Sequence, residues 1–131
     1  MELLKRYKEE IGNDLIINDF NIKDVQLKLP SRKHFWVARL IDAKIEHGRL
    51  LKKRKLLKAA LVKKIMQESP VKLTVATAES AADSTDEIQT INDSVKEYDY
   101  IIEYLEKVEK IMSSMHWEIK NIVELNRLEQ L

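Results

Sequence analysis

The sequence predicts an all-α chain: a short N-terminal helical region, a long basic amphipathic helix and a long C-terminal near-heptad helix. Together they form an oligomeric, coiled-coil-like helical hairpin. Three observations predict it. Only two Gly and two Pro interrupt 131 residues, too few for a fold built from many turns. Apolar residues make up 44% and charged residues 34%, with Leu, Ile, Val, Ala, Glu and Lys dominant, the mixture of long helices. Between Ile88 and Ile122 apolar side chains recur every three or four positions, the spacing of one helical face.

Four segments follow along the chain: 1–30, 31–68, 69–86 and 87–131. In the first, a short helix runs from Glu2 to about Ile11 and stops near Gly12-Asn13, a plausible C-terminal cap. The stretch from Asp14 to Leu29 is apolar without a clean period and reads as one or two helical turns. Pro30 ends it, because the residue before proline is pushed away from helical angles. Ser31 then caps a basic helix that runs to Glu68 and is closed by Ser69-Pro70. Trp36, Leu40, His47, Leu51, Leu61 and Ile65 share one side of that helix. At about 55 Å it is too long to be buried around a monomer of this size.

Residues 69–86 are rich in Ser, Thr and Ala and read as a linker, with a short helical or extended piece at Lys72–Ala76. The last helix begins at Asp86. Its apolar positions are Ile88, Ile91, Val95, Tyr98, Ile102, Leu105, Val108, Met112, Met115, Ile119 and Ile122, with Ser113-Ser114 the expected place for a break or bend. Tyr100, Tyr104 and Ile111 make a second apolar strip. One antiparallel partner covers one strip and not both, so the chain is expected to form a homo-oligomer. Ile102, Leu105, Met112, Ile119 and Ile122 are the expected assembly residues.

Net charge is +1, but it is unevenly placed. Residues 1–30 hold five basic and six acidic side chains, residues 31–72 thirteen and three, and residues 73–131 five and thirteen. The chain is therefore a charge dipole, +10 in the middle and −8 at the end. Within RLLKKRKLLKAALVKK (49–64) eight of sixteen residues are basic and none is acidic. Such a helix suits a phosphate backbone, where each neutralised phosphate releases condensed counterions whatever the base. Lysine's excess over arginine favours point-charge contact over base reading. Arg49, Lys52, Lys53, Arg54, Lys55, Lys58, Lys63 and Lys64 are the candidate nucleic-acid contacts. Phe35 and Trp36 could stack on unpaired bases, although Trp36 shares the stripe of Leu40 and suits the core better. Trp117 reads as a packing residue.

Three rival readings of the basic helix stand beside this one. The acidic C-terminal segment could neutralise it in an intramolecular hairpin; it could lie on a membrane surface; or, in an adaptor coiled coil, it could bind an acidic protein surface. Enzyme signatures are missing from the sequence: no glycine-rich phosphate loop, nucleophile elbow or HExxH motif occurs. His34, His47 and His116 lack ligand spacing. With no cysteine, neither a disulfide framework nor a thiolate metal site can form. No enzyme, metal or cofactor is expected. MELLKRYKEE lacks the apolar stretch of a secretory signal, and no apolar run approaches the ~20 residues of a membrane span. An intracellular chain that does not enter a membrane is the expectation.

The basic helix KHFWVARLIDAKIEHGRLLKKRKLLKAALVKKI and the terminal IMSSMHWEIKNIVELNRLEQ, joined by a polar linker, resemble the UvsY family of recombination mediators from large tailed phages. The resemblance is closest from Asp86 onward, where Ile119-Lys120 follows Trp117 and Arg127 lies near the end. The basic helix is similar in character rather than residue by residue. It departs from the family where Lys64-Ile65-Met66-Gln67 and Ser69-Pro70 replace tyrosines and a glycine-containing turn. The resemblance implies a phage-encoded protein of the infected host's cytoplasm that binds single-stranded DNA through its basic helix. It further implies a ring-like homo-oligomer of about six or seven subunits, assembled through the C-terminal region. Such a ring would load a RecA-like recombinase onto DNA covered by the phage single-strand-binding protein.

Overall fold

A computed structural model describes residues 2–130. Four helices follow one another: α1 (Glu2–Asp14), α2 (Ile22–Glu68), α3 (Val75–Asp83) and α4 (Asp86–Glu129). No strand occurs among the described residues. The chain divides into two compact units, Met1–Asp42 with Tyr100–Leu131, and Ala43–Asp99. In each, a part of α2 packs with a part of α4 and one short helix, the all-α hairpin that the sequence predicts.

The first unit has a mixed aliphatic and aromatic core. Leu4, Tyr7 and Ile11 of α1 lie three and four residues apart and so share a face. They are buried, as are Leu29, Trp36 and Leu40 of α2 and Ile101, Leu105, Val108, Met112, Met115 and Ile119 of α4. Polar contacts fix α1 to α2 around this core. The Trp36 indole Nε1 donates to Asp14 Oδ2 at 2.8 Å, and Arg32 donates to the same oxygen from Nε (2.9 Å) and Nη2 (2.6 Å). Arg39 pairs with Glu10 and lies over the rings of Tyr7, Phe35 and Trp36 at 4.6, 4.2 and 4.8 Å. A reciprocal turn leads into α2. Asn18 Oδ1 accepts from the backbone of Phe20 and Asn21, while Asn21 Oδ1 accepts from Asn18 N.

The second unit is built on small residues. Ala43, Ala78, Ala82, Ile88, Ile91 and Val95 are buried. Alanine at 78 and 82, one turn apart on α3, permits close approach of helix backbones. Thr74 caps α3 by accepting from Thr77 N at 3.2 Å, and Thr85 Oγ1 accepts from Ile88 N at 3.4 Å at the start of α4.

Five expectations need correction. Pro30 does not end a helix, and Ser31 does not begin one. Both lie inside α2, which starts at Ile22. Proline holds a helical φ and lacks the N–H that would reach the Gln26 carbonyl. Burial of Leu29 and Trp36 on one face offsets that loss. Gly12 and Asn13 fall within α1, which ends at Asp14, where the side chain is held by Arg32 and Trp36. The Ser/Thr/Ala-rich linker holds a nine-residue helix, α3, which overlaps the short piece expected at Lys72–Ala76 but begins at Val75 and runs on to Asp83. No break occurs at Ser113-Ser114. Finally, Ile101 rather than Ile102 faces the core, at 3% exposure. The step into Leu105 is therefore four residues, and the two consecutive three-residue steps fall between Val95 and Ile101, through half-buried Tyr98, instead of between Ile102 and Val108.

Candidate nucleic-acid interface

The Arg49–Lys64 stretch of α2 belongs to the second unit. Its Leu, Lys, Arg and Ala residues are good helix formers, and α2 runs through them without interruption. Lys52, Lys53, Lys55, Lys63 and Lys64 are exposed. None of the five has an ion-pair partner among the described residues. The other three candidate cations are engaged. Arg49 is exposed and holds Glu46 with two hydrogen bonds, from Nε at 3.0 Å and Nη2 at 2.7 Å. That hydrogen bond, reinforced by the Glu46 charge, raises the guanidinium's pKa above its ordinary value. Arg54 Nη1 donates to Asn92 Oδ1 at 3.0 Å. The Lys58 ammonium lies 3.1 Å from Asp83 Oδ1 and 3.2 Å from Oδ2.

A neutralising hairpin would place carboxylates against most of these cations. Of the eight, Asp83 reaches Lys58 and Glu46 reaches Arg49, and neither carboxylate comes from α4. Carboxylates of α4 pair elsewhere: Glu103 with Lys107 on the same helix, and Asp99 with His47 across to α2 at 2.7 Å. The His47 contact lacks hydrogen-bond geometry, so it is an ion pair when the ring carries a proton. A cationic face is left on the second unit, and it suits a polyanion.

Beside that face lies an open groove of about 690 Å³, lined by Leu51, Arg54, Lys55 and Lys58 of α2 and by Asp83, Gln89 and Asn92 opposite. Gln89 Nε2 donates to the Asp83 carbonyl at 2.8 Å. Sequence reasoning missed Asp83, Gln89 and Asn92. Nothing in a run of polar residues on a solvated helix says which of them will face α2.

The five expected assembly residues divide in the structure. Leu105, Met112 and Ile119 are each 1% exposed, covered within their own chain. Ile102 and Ile122 are half-buried. Apolar side chains left in solvent on α4 include Tyr100, Ile111, Trp117 and Leu125. Burial raises the pKa of the neighbouring Tyr104 phenol. Trp117 does not pack within its own chain: it is 61% exposed, with Lys120 Nζ 5.6 Å from the ring centre. Trp36 is in the core, as its stripe suggested, and Phe35 is half-buried between Arg32 and Arg39.

Among the described residues no three or more His, Cys, Asp or Glu side chains group as metal ligands, and no helix is long and apolar enough to cross a membrane.

Comparison with known proteins gives a consistent result. The family model of UvsY, the recombination, repair and ssDNA-binding protein, matches residues 10–130. Two crystal structures of the bacteriophage T4 recombination mediator protein UvsY superpose with a TM-score of 0.82 each. The lattice type IV structure is 14% identical, with 96% of this chain and 98% of that chain covered. The lattice type II structure is 13% identical, with 98% of both covered. At such identities the likeness is one of fold. No curated protein matches the sequence.

Proposed function

The chain belongs to the UvsY family of non-enzymatic recombination, repair and ssDNA-binding proteins, and on that premise we propose how it binds and what it serves. The cationic face of α2 meets the phosphates of a single strand with little regard for sequence. Lys52, Lys53, Lys55, Lys63 and Lys64 make the readiest contacts, and Arg49, Arg54 and Lys58 join once their present partners yield. The observation that carries this reading is the outward, carboxylate-free placement of those five lysines.

Single contacts of this kind are weak, so the face works by repetition. Copies of the chain assemble into a closed homo-oligomer, a ring of about six or seven subunits, through apolar residues that α4 leaves uncovered. Half-buried Ile102 and Ile122 border the contact, while Leu105, Met112 and Ile119 support the subunit's own core. Repetition raises the effective concentration of binding sites along one strand. The wrapped strand is then held open to exchange, so that a RecA-like recombinase replaces the phage single-strand-binding protein. The setting is the cytoplasm of an infected host. T4 UvsY, whose fold this chain shares, is itself described as a recombination mediator.

A gel shift with an oligo-dT strand, with and without duplex competitor, tests the binding step. Retention of the single strand in the presence of duplex is expected. Replacing those five lysines with alanine should weaken the shift markedly while the helical circular-dichroism signal persists. A full shift by that variant would refute the assignment.

A further inference from the structure

The groove beside the cationic face holds one carboxylate among three cations. Arg54 is satisfied by a neutral amide, and Lys55 has no ion partner among the described residues, while Lys58 is gripped by both oxygens of Asp83. Resting on the DNA-binding reading above, we propose that this groove is a nucleotide subsite in which a DNA phosphate replaces the Asp83 carboxylate on Lys58. In the DNA-free chain Asp83 holds the place of the phosphate.

Three features support the exchange. Geometry comes first: two oxygens 3.1 and 3.2 Å from one ammonium imitate the approach of a phosphate's paired oxygens. Second, the pair is open to solvent, with Lys58 35% and Asp83 52% exposed, so the carboxylate can swing into water. An exposed ion pair is weakly held, whereas a phosphate arriving on a strand brings counterion release that a carboxylate cannot supply. Third, the fold does not depend on the pair. α3 is docked by Ala78 and Ala82, both 0% exposed, and capped by Thr74. Losing the Asp83 contact therefore leaves α3 in place and frees Lys58 for the strand, with Lys55 on the same wall of the groove.

Affinity for a fluorescent oligo-dT strand, measured by anisotropy at low salt, tests the proposal. Asp83→Asn should raise affinity about two- to fivefold, the effect of removing one exposed ionic competitor. Asp83→Ser should do the same, with helicity unchanged in both. Glu79→Gln removes an equal charge one turn earlier on α3, from a carboxylate without an ion partner among the described residues, and should change affinity little. In a Lys58→Ala background, Asp83→Asn should give no gain. Equal gains from Asp83→Asn and Glu79→Gln would reduce the effect to general charge and overturn the subsite, as would a gain that survives loss of Lys58. Failure of the unaltered protein to bind the strand would instead defeat the DNA-binding reading itself. Binding by the unaltered protein with a silent Asp83→Asn would defeat the exchange alone.

Discussion

The indole of Trp36 is 2% exposed, meets Tyr7 edge-on at 5.7 Å and donates to Asp14. Dispersion, apolar burial and a charge-assisted hydrogen bond thus converge on one side chain between α1 and α2. Trp36→Ala is expected to destabilise the protein by about 3–5 kcal/mol, read as a lower urea midpoint. Trp36→Phe keeps most of the burial and loses the donor, for a cost of about 1–3 kcal/mol. At the DNA face the expected ranking follows from present partners. Lys53→Ala and Lys64→Ala should each make the salt dependence of ssDNA binding shallower by about 0.7 in log–log slope, the share of one phosphate. Arg49→Ala should cost less, because Glu46 already occupies the guanidinium. Equal losses at all three positions would contradict that ranking. The lysines were legible in the sequence because a run of like charge can hardly be hidden in a core. Their partners were not, since contacts such as Asp83 to Lys58 and Asn92 to Arg54 join residues 25 and 38 positions apart.

Among elements, α2 shows where local rules yield to packing. Its C-terminal end at Glu68 and the start of α4 at Asp86 were readable from Ser69-Pro70 and from the helical apolar spacing that sets in at Ile88. Its N-terminal end was not, because Pro30 carries a strong local stop signal that burial of Leu29 and Trp36 on the same helix overrides. Pro30 is itself exposed, so replacing it removes no core contact. Pro30→Ala should therefore restore a donor to the Gln26 carbonyl and stabilise the chain by about 1–3 kcal/mol. The check is a higher urea midpoint at unchanged slope, and a lower midpoint would mean that the proline ring supports a contact of its own. α3 was hard to see for a different reason. Serine, threonine and alanine make up both flexible linkers and helices that dock closely, and only the four-residue spacing of Ala78 and Ala82 separates the two. On α4 the period was legible to within one residue: Ile101 and Ile102 are adjacent and identical, and packing alone chooses between them.

At the scale of the whole molecule, the charge dipole in the sequence corresponds to two different uses of helix surface. Cations between Arg49 and Lys64 remain largely outward, while α4 combines a buried stripe with an uncovered apolar one. If that uncovered stripe joins subunits, Tyr100→Glu with Ile111→Glu should lower the mass measured by light scattering and leave helicity unchanged. An unchanged mass would place subunit contacts elsewhere. The central claim concerns the cations, and its most direct test is a salt titration of oligo-dT binding by the unaltered protein and by a variant with Lys52, Lys53, Lys55, Lys63 and Lys64 replaced by alanine. The account predicts a linear fall of log affinity with log salt. For the variant it predicts a slope shallower by about 0.7 for each lysine that meets a phosphate. Identical slopes for the two proteins, or binding indifferent to salt, would contradict it.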